Sequence, residues 1–516
     1  MKILSVEQIF KADEISVKNQ GITSTQLMER ASSLVVEWLD DRLQNSQVPI
    51  HIFCGLGDNG GDGLAIGRLL IKHGYDVTVY VVNYSEKRSK NFLINYDRIK
   101  MATKKWPVLM KSEEDFPEIM EGDVVIDAIF GIGLNRSPDG WVKSLIQYLN
   151  GISAFKVAID VPSGLFANEP VTEFDSILIA NHTLTFHVPK LSFFLPETAP
   201  FISAFNILDI GMDAEFIEGA EPLAELITSR EAQQMYRPRD KFGHKGTYGH
   251  TLIVGGSYGK IGAAVLATSA AFRIGAGMVT AVVPKCGYNI MQTSVPEAMV
   301  ITDKKEEYLT DIKLDFEPSA IAIGMGMGQN EVTAECLKNF LNNVKVPVVI
   351  DADALNLMAK DKDLFKFIPK NSILTPHPGE LKRLIGPWKN DYDKIKKAKK
   401  FSKSHNVVLI VKGAYTMTIF GNKIYINTTG NSGMATAGSG DTLSGVIAGL
   451  LSQGYDPLTA SIFGVYMHGC AGDMAARDLG FEPIMAGDII DNISEAYFDL
   501  ASPELGEDED LYDDFE

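Results

Sequence analysis

The sequence predicts an α/β protein with two domains, each built on a parallel β-sheet. Its 516 residues exceed what one hydrophobic core usually serves and fit two domains of ordinary size. In both halves, short apolar runs alternate with amphipathic stretches, which is typical of βα units around a parallel sheet. With 45% hydrophobic and 22% charged residues, the composition is that of a globular protein rather than a disordered or fibrous one.

The first half alternates apolar strand patterns with an amphipathic helix pattern. In chain order these segments read VPIHIFCG, DGLAIGRLLIKHG, YDVTVYVV, DVVIDAIFG and KVAIDVPSG. Three of the strands end in a Gly- or Pro-rich turn. Because ligands of open α/β sheets bind at the carboxyl ends of parallel strands, we expect the first site at that edge.

The alternation restarts in the second half. Its segments read HTLIVGG, a helix from about Ile261 to Gly275, MVTAVVP, SAIAIG, VPVVID, SILTPHPGE and VVLIVKG. Two short runs, TMTIF and KIYIN, flank Gly421 and Asn422 and predict a hairpin.

Residues 213–240, between the two halves, show no strand pattern, and a proline interrupts them. We therefore place the domain boundary near Pro222, which gives domains of residues 1–222 and 223–503. The last stretch, 504–516, reads ELGEDEDLYDDFE and carries eight acidic side chains and no basic one. Such a self-repelling segment predicts a disordered, solvated tail.

Charge and cysteine usage exclude several classes of partner and compartment. The net charge of -18 argues against non-specific binding to nucleic acid or to an anionic membrane. The four cysteines lie far apart without CxxC spacing, so neither a zinc site nor a disulfide framework is indicated. No apolar run approaches the roughly 20 residues of a membrane span, and MKILSVEQIFKADE lacks a signal peptide's apolar stretch. We expect a cytoplasmic protein.

Residues 55–63 read GLGDNGGDG, between a strand and a helix that we expect to begin near Asp62. Glycines let the backbone approach a phosphate, and a helix N-terminus offers free N–H groups to an anion, so this segment predicts a nucleotide pocket. The GxGxxG spacing within it is a weak signal by itself. The next strand ends at Asn83 without the acidic residue that holds the ribose of NAD, which disfavours a dehydrogenase. A plain strand-to-helix turn is the alternative.

Three polar residues at strand ends of this half could converge on a cation. Asn59, Asp127 and Ser163 offer amide, carboxylate and hydroxyl oxygens, which hard cations prefer. One carboxylate among neutral oxygens suits a monovalent ion better than magnesium. Asp160 would then remain free for acid-base work. A capping or turn role is the alternative for each aspartate.

Over about residues 1–220 the chain resembles the NAD(P)H-hydrate epimerase family. Three motifs together carry this resemblance: GLGDNGGDG, VIDAIFGIG and AIDVPSG. The resemblance implies a Rossmann-like parallel-sheet domain, potassium at Asn59, Asp127 and Ser163, and Asp160 as the substrate-contacting acid-base residue. It further implies that two loops hold the dinucleotide hydrate through Asp58, Asn59, Gly60, Gly61, Asp62, Gly131, Ile132, Gly133, Leu134, Asn135, Arg136 and Ser137. Some family members carry a catalytic lysine where this chain has Asn135, and whether Arg136 replaces it stays open.

The most informative segment of the second half is TAGSGDTLSGVIAGLL, residues 436–451, where a glycine-rich turn runs into an apolar helix. Gly438, Ser439 and Gly440 can present backbone N–H groups to the charge on a transferring phosphoryl group. Asp441, at the same turn, can take the proton from an attacking hydroxyl. A plain capping turn is the alternative.

Further turns support the same pocket. GGSYGKIGAAVLA and GMGMG are glycine-rich, and TPHPGE holds His377 between two prolines in a rigid loop. VVLIVKGAYT places Lys412 at a strand end, where its ammonium could meet phosphates. A loop histidine and a solvated lysine are the alternatives. The motif GxxxxGK[ST] is absent, which excludes a P-loop cradle.

Over about residues 225–500 the chain resembles the ADP- or ATP-dependent NAD(P)H-hydrate dehydratases. Five motifs carry this resemblance, in the order GGSYGKIGAA, DADALN, TPHPGE, KGAYT and TAGSGD. That family is a branch of the ribokinase-like superfamily, so the resemblance implies a ribokinase-like α/β domain. It implies substrate contact at Ala263, Gly326, His377 and Asp441, with Asp441 as catalytic base. Adenylate contact is implied at Lys412, Gly413, Ala414, Tyr415, Thr416 and Gly440.

The two resemblances together imply repair of hydrated nicotinamide cofactors. The N-terminal domain would interconvert R- and S-NAD(P)H hydrate, and the C-terminal domain would dehydrate the S epimer with ADP or ATP. The implied cofactors are Mg²⁺ with the nucleotide and K⁺. The substrates would be NADH hydrate and NADPH hydrate, and a homo-oligomer is expected because such enzymes are often symmetric assemblies. A vitamin kinase with a non-catalytic N-terminal nucleotide-binding module is the rival interpretation.

Overall fold

The computed structural model describes residues 1–501, so the tail for which we predict disorder lies outside the described residues. The predicted α/β class with parallel sheets is confirmed. The chain forms two compact units. The N-terminal unit contains Lys2–Ala224 with the short segment Asn390–Tyr392, and the C-terminal unit contains Met1, Glu225–Lys389 and 393–501. The functional extents 1–222 and 223–503 remain a prediction.

The N-terminal unit alternates strands and helices along the chain. Its strands are β1 (Lys2–Ile3), β2 (Ile50–Cys54), β3 (Val77–Val82), β4 (Val108–Met110), β5 (Val124–Ala128), β6 (Phe155–Ile159), β7 (Ala180–Phe186) and β8 (Ile202–Leu208). Its helices are α1 (Val6–Gln20), α2 (Ser24–Leu43), α3 (Asp58–His73), α4 (Lys90–Ala102), α5 (Gly140–Asn150) and α6 (Ala214–Gly219).

The sheet of this unit runs in the order β4-β3-β2-β5-β6-β7-β8, with all pairs parallel. From β2 the chain builds outward through β3 and β4, and it then returns to build the other side from β5. The strand order therefore reverses between β2 and β5. In open α/β sheets the crevice at such a reversal, outside the carboxyl strand ends, is the usual ligand site.

Helix α3 begins four residues earlier than the sequence predicts, at Asp58 rather than near Asp62. Residues 58–63, most of the glycine segment, are therefore helical. The reason is close packing, because a Cβ on Gly60 would lie 1.9 Å from the carbonyl oxygen of Gly55. Glycine alone lets the first turn of α3 press against the end of β2.

Replacing Gly60 by alanine is expected to destabilise the N-terminal unit by about 2–3 kcal/mol, because the clashing atom belongs to the backbone and cannot rotate away. Tryptophan fluorescence during urea unfolding measures this, since Trp38, Trp106 and Trp141 lie in that unit and only Trp388 lies elsewhere. Gly219→Ala is the matched control, because nothing lies within 4 Å of its added Cβ. Equal midpoints for the two variants would contradict the packing explanation.

The C-terminal unit repeats the alternation. Its strands are β9 (Ala224–Ile227), β10 (His250–Val254), β11 (Met278–Val283), β12 (Met299–Thr302), β13 (Ala320–Ile323), β14 (Val348–Ile350), β15 (Ile373–Leu374), β16 (Val408–Val411), β17 (Met417–Phe420) and β18 (Lys423–Asn427). Its helices are α7 (Ser229–Met235), α8 (Ile261–Arg273), α9 (Tyr288–Ser294), α10 (Glu331–Asn343), α11 (Ala352–Lys360), α12 (Pro378–Ile385), α13 (Asp391–His405), α14 (Ser439–Ser452), α15 (Pro457–Leu479), α16 (Ala486–Asp491) and α17 (Ile493–Ala501).

The strands of this unit run in the order β9-β18-β17-β16-β15-β14-β13-β10-β11-β12. Strands β10 to β16 pair with one another in parallel, and β16 is antiparallel to β17. The order reverses between β10 and β13, which gives a second crevice of the same kind. The predicted hairpin is confirmed as the antiparallel pair β17–β18. The prediction that residues 213–240 hold no strand is wrong, because β9 pairs with β18.

The core of the C-terminal unit is rich in alanine where α8 and α14 pack together. A Cβ on Gly445 would lie 2.1 Å from the carbonyl oxygen of Ala267, so the two helix backbones are nearly in contact. This contact fixes the position of α14, whose N-terminus carries the TAGSGD turn. In residues 1–501, no helix has the length and apolarity that crossing a bilayer requires. The four cysteines are free thiols.

Candidate active sites

Three strand ends of the N-terminal unit meet at its crevice. The glycine segment follows β2, the loop 129–137 follows β5, and Asp160 follows β6. A Cβ on Gly131 would lie 3.2 Å from the Cβ of Asn59, and the N–H of Ile132 donates to Asp160 Oδ2 at 3.4 Å. The structure therefore brings the predicted loops together with the predicted acid-base residue.

The predicted dinucleotide-binding residues differ in exposure. Asp58, Gly133, Asn135 and Arg136 are exposed, whereas Gly131, Ile132, Leu134 and Ser137 are half-buried. By contrast, Gly60, Gly61 and Asp62 are buried inside the unit. Their contribution to the pocket is therefore the backbone shape of the turn.

Asp127 and Ser163 form a fully buried pair. The Ser163 hydroxyl donates to Asp127 Oδ1 at 2.6 Å, its backbone N–H donates to Oδ2 at 2.7 Å, and the N–H of Ile129 donates to Oδ1 at 3.2 Å. Burial nevertheless raises the pKa of Asp127 to about 6, because the three hydrogen bonds offset only part of the desolvation.

The donor set around this pair fits a monovalent cation. Asn59 is 9% exposed, and its Nδ2 has no hydrogen-bond partner within residues 1–501. A half-turn of the amide would therefore break no hydrogen bond of Nδ2, and it would place the amide oxygen where Nδ2 now lies. Together with the Asp127 carboxylate, the Ser163 hydroxyl and the carbonyl of Phe130, this supplies oxygens with a single formal charge.

Asp160 has a buried partner that the sequence did not indicate. Its Oδ1 accepts a hydrogen bond from Lys190 Nζ at 2.6 Å, and both side chains are buried. The backbone of Asp160 is also strained, with φ at +68°, a region that non-glycine residues rarely adopt. Strain of this kind is concentrated at functional sites.

Sequence reasoning missed Lys190 and Asp13. Lys190 follows β7, which the sequence did not predict, and its signal is a lysine within the apolar stretch HVPKLSF. Asp13 lies on α1. Burial and repulsion from Asp160 raise the pKa of Asp13 to about 7, and burial and the same neighbour raise that of Asp62 well above its usual range. Asp160 thus lies among carboxyl groups that resist further negative charge.

In the C-terminal unit, the TAGSGD turn leads directly into α14. Gly438 has φ at +91°, and a Cβ there would lie 2.4 Å from Leu266 Cδ1, so only glycine fits. No side chain caps the N-terminus of α14, and the N–H of Ser439 makes only a long bond of 3.5 Å to the carbonyl of Thr436. The N–H of Gly440 therefore stays available to a phosphoryl oxygen, and the helix dipole adds positive potential there.

Asp441 lies in the first turn of α14 and is half-buried. No side chain or backbone group of residues 1–501 donates a hydrogen bond to its carboxylate. Burial raises the pKa of Asp441 to about 6, and repulsion from Asp351 adds to the shift, while Lys412 opposes it. A carboxyl group with this pKa can accept a proton near neutral pH and release it again.

The pKa of Asp441 predicts the acid limb of any reaction in which this residue is the base. The base must be ionised to act, so kcat/KM is expected to stay level above pH 6 and to fall about tenfold for each pH unit below it. A pH series of the nucleotide-dependent reaction, at saturating nucleotide, measures this limb. A limb at pH 4, the ordinary range of a carboxyl group, would contradict the role of burial.

Lys412 is held beside the same turn by an ion pair that the sequence did not predict. Its Nζ donates to Asp351 Oδ1 at 3.1 Å, and Ser444 donates to Oδ2 of the same carboxylate at 2.8 Å. A Cβ on Gly440 would lie 3.1 Å from Lys412 Nζ. The ammonium therefore lies next to the uncapped helix end, where it can contact a nucleotide phosphate.

The other predicted residues occupy neighbouring strand ends. Gly326 and Ala263 are adjacent, since a Cβ on the glycine would lie 3.1 Å from the Cβ of Ala263. The two lie at the crevice between β10 and β13. Thr416 Oγ1 donates to the carbonyl of Gly413 at 3.1 Å and closes the turn that carries Ala414 and Tyr415.

His377 has a structural partner as well as an open side. It caps α12, where its Nδ1 accepts from the N–H of Gly379 at 3.0 Å, and its side chain is 52% exposed. Burial, followed by repulsion from Lys412 and Arg383, lowers the pKa of His377. The capping bond needs an unprotonated Nδ1, so the proton of the neutral ring lies on Nε2, which is 3.5 Å from Glu380 Oε1.

Two family models match the chain, one in each unit. The model described as YjeF-related protein N-terminus matches residues 24–192, and the one described as NAD(P)H-hydrate dehydratase matches residues 251–495. The matched ranges contain every residue that we assign to the two sites except Asp13.

Several proteins named bifunctional NAD(P)H-hydrate repair enzyme Nnr are similar to this chain over nearly its whole length. The one from Moorella thermoacetica is 36% identical and covers 98% of this chain and 100% of its own. The one from Escherichia coli (strain K12) is 30% identical, with 94% of this chain and 91% of its own covered. Among solved structures, the ADP/ATP-dependent NAD(P)H-hydrate dehydratase from Bacillus subtilis, co-crystallised with ATP/Mg²⁺, is 29% identical. It covers 54% of this chain and 99% of its own, with a TM-score of 0.48.

Proposed function

This chain belongs to the family of bifunctional NAD(P)H-hydrate repair enzymes, and from that premise we propose how its two sites restore hydrated NADH and NADPH. The N-terminal unit epimerises R- and S-NAD(P)H hydrate, and the C-terminal unit dehydrates the S epimer with ADP or ATP. The observation that carries this function is that a relative of that name is matched from end to end, through both units.

Epimerisation requires a bond at the hydroxyl-bearing ring carbon to break and re-form, with a proton moving to and from the leaving oxygen. We assign that transfer to Asp160, whose Oδ2 faces the N–H of Ile132 in the loop 129–137. The loop and the glycine segment would hold the dinucleotide, with the N-terminus of α3 directed at its phosphates.

Potassium is proposed at Asn59, Asp127 and Ser163. Three observations support this ligand set. Asp127 supplies a single buried carboxylate, the hydroxyl of Ser163 lies 2.6 Å from it, and the amide nitrogen of Asn59 has no hydrogen-bond partner among the described residues. When bound, the ion would supply positive charge and fix the carbonyl of Phe130 and the start of the loop 129–137. Asp160 itself makes no contact with these three side chains, so its proton transfer is separate from the ion.

Dehydration of the S epimer removes a hydroxyl group, which is a poor leaving group near neutral pH. We assign Asp441 as the base that takes the proton of this hydroxyl while the hydroxyl oxygen attacks the terminal phosphorus of the nucleotide. The nucleotide, shortened by one phosphate, is the leaving group. Inorganic phosphate then departs with the C–O bond, a neighbouring ring carbon loses a proton, and the ring double bond is restored. The N–H group of Gly440, in the first turn of α14, would stabilise the phosphoryl charge.

The nucleotide is proposed to lie along Lys412–Thr416 and Gly440, with magnesium on its phosphates. Magnesium is usually bound by substrate phosphates plus one or two carboxylates, and Asp351 is the carboxylate beside Asp441 to which we assign no proton transfer. When bound, the ion would neutralise charge on the transferred group. Substrate contacts are proposed at Ala263, Gly326 and His377.

The decisive experiment follows the absorbance of NADH at the near-ultraviolet band. The pure protein is incubated with mixed R and S NADH hydrate, Mg²⁺ and ADP or ATP, in potassium or in tetramethylammonium salts. We expect complete recovery in potassium, faster than spontaneous epimerisation allows. Recovery that stops at the S fraction would refute the epimerase assignment, and an equal rate in both salts would refute the potassium site.

The vitamin kinase interpretation is not favoured, since the matched family and the relatives are repair enzymes. A kinase would consume nucleotide and release a stable phosphorylated alcohol. A cytoplasmic location and a homo-oligomeric state are also proposed, the latter to be measured by light scattering of the full chain.

A further inference from the structure

The Lys190–Asp160 pair is the least expected feature of the epimerase site. A buried ion pair is seldom justified by stability, because desolvation of two charges offsets their attraction. Lys190 is 1% exposed, and Asp160 is 8% exposed. Both follow the ends of neighbouring parallel strands, β6 and β7, at the crevice. Burying the Lys190–Asp160 pair costs desolvation free energy, and its position at the strand ends indicates a functional reason for that burial.

The ammonium of Lys190 is fully used. Its Nζ donates to Asp160 Oδ1 and to Thr185 Oγ1, both at 2.6 Å, and to the carbonyl of Val188 at 3.2 Å. An ammonium group has three N–H donors, and all three are engaged. Lys190 is therefore a fixed charge rather than a group that could pass protons to a substrate.

The same contacts distinguish the two oxygens of Asp160. Oδ1 is occupied by Lys190 and lies 3.5 Å from Thr185 Oγ1. Oδ2 has only the long contact of 3.4 Å with the N–H of Ile132, which belongs to the loop 129–137. Lys190 therefore orients the carboxylate so that one oxygen is held and the other is directed at the predicted substrate loop.

The surrounding charges give the ammonium a second effect. Asp13 from α1 and Asp62 from α3 both interact with this carboxylate, so Asp160 lies among other acidic groups. On the other side, His187 is next to Lys190, and its pKa is lowered by burial and by that lysine despite Asp209. Lys190 is the cation of this group that directly contacts Asp160. Removing it would leave the carboxylate among repelling neighbours.

We propose that Lys190 is the positioning residue of the epimerase, which holds Oδ1 of Asp160 and presents its Oδ2 as the atom that exchanges the proton with the substrate. This inference rests on the proposed function of the N-terminal unit. It predicts that the charge of residue 190, and not merely its bulk, controls the pH range in which epimerisation proceeds.

The test uses the full-length protein without nucleotide, so that R and S hydrate interconvert without dehydration, and follows their ratio by chromatography. For K190M we expect kcat to fall about 100-fold with KM nearly unchanged. We also expect the acid limb of the pH profile to move up by about 2 pH units, because a close cation lowers a carboxyl pKa by 1–3 units. K190R, which keeps the charge, should retain the wild-type limb.

Two further variants separate this role from a structural one. K190Q keeps an N–H donor without the charge and should show the shifted limb even if K190M does not fold. K156M removes another buried lysine of the same unit, whose Nζ contacts only backbone carbonyls of Ile152 and Ala154. It should retain both the rate and the limb.

Each outcome has a distinct meaning. A wild-type protein that does not epimerise would refute the proposed function itself. With an active wild type, a wild-type pH limb in K190M and K190Q would overturn the inference alone. An equal loss of rate in K156M would also overturn it, because the effect would then belong to any buried lysine.

Discussion

Asp441→Asn is expected to lower nucleotide-dependent dehydration of the S hydrate by about 1,000-fold or more, within the range that a lost general base produces. Asparagine keeps the shape of the side chain but cannot take the proton of the attacking hydroxyl. Asp351, the carboxylate that interacts most strongly with Asp441, already accepts from Lys412 and Ser444. The measurement is the initial rate of NADH recovery from pure S hydrate with Mg²⁺ and nucleotide.

The same protein provides the internal control. Epimerisation of R hydrate, followed without nucleotide, should proceed at the wild-type rate because that chemistry belongs to the N-terminal unit. Nucleotide should still raise the melting temperature of the variant, since the phosphate-binding turn is intact. D311N, at a surface aspartate paired with Lys313, should leave dehydration unchanged. Dehydration at more than a tenth of the wild-type rate in D441N would reject Asp441 as the base.

Asp160→Asn should reduce epimerisation by about 100- to 1,000-fold and leave dehydration of pure S hydrate unchanged. The amide can still accept from Lys190 through its oxygen, so the strained backbone at this position keeps its main tether. It cannot exchange a proton, and its NH₂ group replaces the acceptor Oδ2 that faces Ile132. With mixed hydrates and nucleotide, recovery should therefore stop at the S fraction and continue only at the spontaneous rate.

Asp175→Asn is the matched control for this variant. Asp175 lies in the same unit, is 62% exposed and pairs with Lys143 at the surface, so its loss should cost little. If D160N consumed both epimers at the normal rate, the proton would have to pass through another group. Asp13, whose carboxyl group has a pKa of about 7, would then be the first residue to replace.

The turns that bear the chemistry were predictable because their signals are local. Glycine spacing, a following apolar helix and an aspartate at the turn identify the TAGSGD segment, and the geometry of Gly438 is the reason for that spacing. The hairpin β17–β18 was equally readable from two short alternating runs. The start of α3 was not, because glycines are poor helix formers and only packing against β2 makes that turn helical.

Strands with weak local signals were missed for a related reason. In β7 the sequence NHTLTF alternates polar and apolar residues, and β9 lies in a segment interrupted by a proline. Each becomes a strand by pairing with a neighbour, β7 with β6 and β9 with β18. Without β7, nothing in the sequence placed Lys190 beside Asp160, although the two are only 30 residues apart.

The sequence by itself determined the α/β class, the two motif sets and the family, and it indicated Asp160 and Asp441, to which we propose to assign the proton transfers. The tertiary structure alone decided which partners those residues have. Lys190 contacts Asp160, and Asp351 accepts from both Lys412 and Ser444, because the fold brings together residues that are distant in sequence. The raised pKa of Asp441 likewise depends on desolvation and on neighbouring charges, which are properties of the folded environment and not of residue type.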